Sequence, residues 1–85
     1  MNLACVATKR NHALIYRKVP SFIRLLRERA GMTQTELGTR MGTSQVFIAR
    51  CESGSRRVDI AEFIAIARAL RMDPVDAFME LAKGR

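Results

Sequence analysis

Between Gly42 and Gly54 the chain reads GTSQVFIARCESG, and a pair of arginines, Arg56 and Arg57, follows at once. On a helix opening near Ser44, Ile48 and Cys51 share one face and leave Gln45, Val46, Ala49 and Arg50 on the other. That outer set offers an amide, methyl groups and a guanidinium, which donate and accept hydrogen bonds, meet apolar groups and neutralise anions. This is equipment for recognition. No acid–base pair or activated nucleophile accompanies it, and a catalytic thiol at Cys51 would need a base partner, so Cys51 reads as core. The one histidine, His12, and the two cysteines, Cys5 and Cys51, are too scattered for a metal site. The expectation is a non-enzyme without a cofactor.

The 85 residues suffice for one domain, and a hydrophobic share of 48% argues against global disorder. So short a chain buries little surface, which favours dimerisation. The net charge of +7 is unevenly spread. Residues 1–29 carry seven basic groups against Glu28, residues 30–57 four against two acids, and residues 58–85 four against five. A basic first two thirds implies an anionic partner on one face: nucleic acid, an acidic protein or an anionic membrane surface. No run is long enough to span a membrane, and MNLACVA lacks the basic start of a signal peptide. Two unpaired cysteines fit a reducing cytoplasm, and a nucleic-acid partner there would place the protein at the nucleoid.

The elements that must position these groups read as all-α, because apolar residues recur at three and four positions. Ser21 is an N-cap candidate after Pro20, with Ile23, Leu26 and Ala30 on one face and Gly31 as the stop. Thr33 with Glu36 forms a capping box, and Met32 with Leu37 a hydrophobic staple around it. Leu37 and Met41 continue that helix to Gly42; Ser44 caps the next, and ESGSRR ends it. Asp59 with Glu62 repeats the box, and Phe63, Ala67 and Leu70 form the following stripe. Asp73-Pro74 opens a last helix whose apolar surface is Val75, Phe78, Leu81 and Ala82. Residues 1–19 form a basic arm open to three readings: an extra helical turn, a strand-like arm or disorder. The domain proper spans 20–83.

Only a few residues separate the helix ending at Gly42 from the one capped by Ser44, which suits a steep crossing of the two. Gly38 supplies the small residue such an approach demands. With Leu37, Met41, Ile48 and Cys51 in a shared core, the second helix protrudes, a shape that fits the major groove of DNA.

The run GMTQTELGTRMGTSQVFIARCESGSRRVDIAEFIAIARAL resembles the Cro and phage-repressor (XRE) family of helix-turn-helix DNA-binding domains. The most specific parts are Gln34, Leu37-Gly38, Gly42, Ile48, Glu52 and Gly54 in that order and spacing, followed by RRVDIAEF and ARAL. The resemblance implies a five-helix, lambda-repressor-like fold. It also implies roles: Gln34 grips a phosphate and braces the recognition helix, which starts at Ser44 and Gln45. Gln45 can pair bidentately with adenine, Val46 can touch a thymine methyl, and Arg50 can reach guanine or a phosphate. Ser53, Arg56 and Arg57 match the loop that holds the DNA backbone, while Phe47 packs beside Ile48 or meets sugar at the groove edge. Arg71 stands where members often have glycine, and a positive φ there costs about 1 kcal/mol.

The expected function is therefore a DNA-binding transcriptional regulator, a dimeric repressor or autoregulator reading an inverted repeat with the helix at 44–52. Val75, Phe78 and Leu81 are the candidate dimer face, against simple closure of the monomer core. The rival is a protein-binding adaptor or antitoxin-like module with a protein partner and only secondary DNA binding. Neither reading involves a membrane.

Overall fold

The computed structural model describes residues 14–84. The expectations for Cys5, for His12 and for most of the basic arm lie outside the described residues. Among the described residues there are five helices and no strand: α1 (Lys18–Arg29), α2 (Gln34–Met41), α3 (Gln45–Ser53), α4 (Ile60–Ala69) and α5 (Pro74–Ala82). Residues 14–16, ahead of α1, are also helical.

Short-range signals set most of these boundaries. Thr33 Oγ1 accepts from the Glu36 amide at 3.0 Å, and Glu36 Oε1 accepts from the Thr33 amide at 2.8 Å. Asp59 and Glu62 repeat the reciprocal pair at the start of α4, at 2.7 and 3.0 Å. Ser44 Oγ accepts from the Phe47 amide at 3.1 Å, and Asp73 Oδ1 from the Val75 amide at 2.9 Å behind Pro74. Each bond satisfies an amide that the helix start would otherwise orphan.

α1 departs from expectation. It starts at Lys18 with no side-chain cap, so Pro20 and Ser21 lie inside its first turns. Proline is tolerated there because first-turn amides have no intrahelical acceptor to lose. The Ser21 hydroxyl instead donates back to the Lys18 carbonyl at 3.3 Å. The helix therefore begins within the basic arm, and Val19 joins the core. Tyr16 also packs against that core, and its hydroxyl accepts from the Val58 amide ahead of α4.

α3 sits between α1 and α2; α4 covers α2, and α5 closes against α4 and α1. Ile23, Leu26, Leu37, Ile48, Cys51 and Ile66 are fully buried at the centre. Burial of each large apolar side chain stabilises the fold by about 1.5–3 kcal/mol. α5 contributes Ala77, which is fully buried, with Leu81 half-buried against the core. Val75, Phe78 and Ala82 face outward, so closing the monomer core does not explain the first two.

Arg71 has φ 63°, the one left-handed non-glycine among the described residues. It ends α4 in the arrangement that Gly31 gives α1 and Gly42 gives α2: the next amide reaches back to a carbonyl five residues earlier. Met72 N bonds Ala67 O at 2.9 Å, as Met32 N bonds Arg27 O and Thr43 N bonds Gly38 O. Replacing Arg71 with glycine removes the Cβ strain but loosens the unfolded chain. The net expectation is a gain of about 0.5–1 kcal/mol in chemical denaturation. A lower denaturation midpoint would show that Arg71 makes compensating contacts.

Candidate nucleic-acid interface

α2 and α3 approach most closely at Gly38. A Cβ placed there would lie 2.9 Å from both the carbonyl carbon and oxygen of Ser44, and 3.2 Å from the Gln45 nitrogen. Glycine thus lets the start of α3 rest directly on α2. Ile48 and Cys51 seal the inner face of α3, and burial pushes the Cys51 thiol pKa up, keeping it protonated. Gln45, Val46 and Arg50 are exposed on the outer face, Val46 at 52%. Arg50 forms no ion pair among the described residues.

Behind this face runs a continuous polar chain. Glu52 is nearly inaccessible, its side chain 4% exposed, and Arg27 opposite is 11% exposed. Arg27 Nε donates to Glu52 Oε2 at 2.6 Å and Nη2 to Oε1 at 3.0 Å, while Nη1 donates to the Met32 carbonyl at 2.8 Å. Its hydrogen bonds to Glu52 hold the Arg27 guanidinium pKa above its ordinary value, outweighing the effect of burial. Glu52 Oε1 also accepts from Gln34 Nε2 at 3.0 Å, and Gln34 Oε1 accepts from Gln45 Nε2 at 2.6 Å. α1, α2 and α3 are thereby joined through side chains from the interior to the exposed amide. No buried side-chain nitrogen or oxygen among the described residues lacks a partner.

The loop after α3 turns at Gly54. Ser53 Oγ donates to the Arg50 carbonyl at 3.2 Å and lies 3.1 Å from Ser55 Oγ. Arg57 is exposed, with its guanidinium carbon 5.0 Å from the Tyr16 ring centroid. Arg56 is engaged by Glu62 and lies over Phe47.

A family model for the helix-turn-helix domain matches residues 21–78, most of the chain. An XRE-family like protein from Pseudomonas syringae pv. tomato str. DC3000 superposes with a TM-score of 0.82 at 34% identity, covering 91% of this chain and 94% of that one. The chain belongs to the XRE family of helix-turn-helix DNA-binding domains. The wild-type restriction-modification controller protein C.Esp1396I is also similar to this XRE domain. Its TM-score is 0.74 at 29% identity, over 81% of this chain and 90% of the controller. No curated protein sequence matches the chain.

Of the residues singled out in the sequence, Gln34, Ser44, Gln45 and Val46 gather at the amino-terminal end of α3 and the helix start beside it, and Arg50 lies on the outer face in the last turn of α3. Ser44 uses its hydroxyl as the cap, and Phe47 is half-buried against the core. Ser53 ends α3, and Arg56 and Arg57 follow in the loop. Arg27, Glu52 and Glu62 carry the supporting contacts without having been marked as site residues in the sequence. The signal for the buried pair is that Glu52 and Arg27 flank apolar stripes, one turn from Ile48 and from Ile23 respectively. No described helix of this XRE domain is long and apolar enough to cross a membrane.

Proposed function

We propose that this XRE-family DNA-binding transcriptional regulator is a homodimeric repressor or autoregulator that reads an inverted repeat, working by binding and not by catalysis. The observation that carries the reading is the outer face of α3. There Gln45, Val46 and Arg50 stand exposed on a helix sealed on its other side, and Gln34 holds the Gln45 amide. In this reading Gln45 pairs with adenine, Val46 meets a thymine methyl, and Arg50 reaches guanine or a phosphate. Gln34, Ser44, Ser53 and Arg57 border the DNA backbone.

The 63% exposure of Val75 and 51% exposure of Phe78, with Leu81 half-buried beside them, support docking of a second copy along α5. A dimer would set two α3 helices about 34 Å apart, one turn of DNA. Similarity to a restriction-modification controller supports a regulatory role. The same apolar face favours the adaptor or antitoxin-like reading if its occupant is a different protein.

Selection from a random duplex library at about 0.15 M salt, where long-range attraction is largely screened, tests the proposal. An inverted repeat with half-sites one helical turn apart is expected to be enriched. Gln45→Ala and Arg50→Ala should each lose about 1–3 kcal/mol of base discrimination while melting like the parent. An unenriched pool from folded parent protein, sedimenting as a monomer, refutes the dimeric reader and moves the assignment to the adaptor.

A further inference from the structure

Arg56 lies in a loop expected to face DNA, yet its guanidinium is committed within the protein. Nη2 pairs with Glu62 Oε2 at 2.7 Å, and Nη1 donates to Glu62 Oε1 and to the Arg57 carbonyl, both at 2.8 Å. Its guanidinium carbon is 4.6 Å from the centroid of the Phe47 ring, a cation–π geometry. Each partner is itself anchored. Glu62 Oε1 accepts from the Asp59 amide as part of the cap of α4, and Phe47, in the first turn of α3, packs on the core. The hydrogen bonds from Arg56 also hold the Glu62 carboxyl below the usual carboxylate range.

We infer that Arg56 is a positioning residue: it ties the first turn of α3 to the start of α4 through Phe47 and Glu62, and it does not neutralise a DNA phosphate. The inference rests on the reading of α3 as the DNA-contacting helix. A bidentate, stacked site of this kind needs the planar fork of arginine; a lysine would restore the charge but neither the fork nor the stacking. A phosphate contact, by contrast, tolerates lysine as a point charge.

The two roles separate in the salt dependence of DNA binding. Affinities are measured over a salt series for the parent, Arg56→Lys, Arg56→Gln, Glu62→Gln and the Arg56→Gln/Glu62→Gln double variant. Two duplexes are used, the one selected by the parent and one of unrelated sequence. On the selected duplex Arg56→Lys and Arg56→Gln are each expected to weaken binding by roughly five- to tenfold, the effect of losing one charge-assisted, stacked anchor. The slope of log affinity against log salt stays that of the parent. Glu62→Gln, which keeps the capping acceptor, weakens binding similarly, and the double variant is no weaker than either single one. A slope shallower by about 0.9 for Arg56→Gln, with Arg56→Lys close to the parent, overturns the inference. The slope is readable on the unrelated duplex as well. If no duplex is selected, the sequence-reading proposal fails by itself, and the slope still decides whether Arg56 touches phosphate.

Discussion

Replacing Glu52 with alanine should remove about 3–5 kcal/mol of folding stability, the usual consequence of stranding one member of a buried ion pair. The Arg27 guanidinium would lose both carboxylate bonds and keep only the Met32 carbonyl, in a site where its side chain is 11% exposed. A domain of this length has a total stability of roughly 4–13 kcal/mol, so a large part of it is at stake. Urea denaturation read by circular dichroism measures the loss. A second variant separates stability from recognition. Arg27→Met with Glu52→Met exchanges the pair for apolar groups, which in buried sites is often neutral or stabilising. That double variant should fold, yet bind its site with reduced discrimination, because Gln34 has lost its acceptor. If Glu52→Ala melts like the parent, the pair is solvated in solution and the buried geometry is wrong.

Gly38→Ala has the next largest expected effect. Alanine raises helix propensity by about 0.8–1.0 kcal/mol relative to glycine, but here its methyl would meet backbone atoms of Ser44 at 2.9 Å. Backbone cannot rotate away as a side-chain tip can, so α2 and α3 must move apart. Overpacking of this kind costs about 1–3 kcal/mol and sometimes more, and the shift falls on the residues that open α3. Gly42 is the internal control. A Cβ there meets nothing within 4 Å, so Gly42→Ala carries only the strain of its left-handed φ, about 1–2 kcal/mol. The distinguishing readout is DNA affinity in folded protein: Gly38→Ala should weaken it well beyond Gly42→Ala. Equal affinities would mean that the close approach does not position α3.

What the sequence made legible was local. Thr33 with Glu36, Ser44, and Asp59 with Glu62 are each satisfied within one turn of chain, so residue type and spacing suffice to place them. Gly38 and Gly42 were legible for a related reason, since few residues other than glycine suit a close backbone approach or a left-handed turn. The start of α1 misled because Pro20 fits a helix's first turn as well as the residue before it. Ala77 gave little signal, as alanine is at home on either face of a helix, whereas Val75 and Phe78 attract attention and prove exposed. The supporting contacts were hidden by distance along the chain. Arg27 and Glu52 are 25 residues apart, and Tyr16 reaches Val58 across 42. Charge pairing between such positions depends on how the helices cross, which no local pattern encodes.

The buried carboxylate has a directional consequence for the surface. An ionised Glu52 only accepts hydrogen bonds, so Gln34 must turn its amino end inward and its oxygen outward. That oxygen in turn requires an N–H from Gln45, which leaves the Gln45 carbonyl oxygen and its second N–H pointing away from the protein. A donor–acceptor order of this kind matches the amine and ring nitrogen of adenine and mismatches the two acceptors of guanine. The interior of the domain therefore dictates the polarity of a surface amide two side chains away. A core substitution that removes the carboxylate would free both amides to turn over, relaxing the choice between adenine and guanine without altering either amide residue.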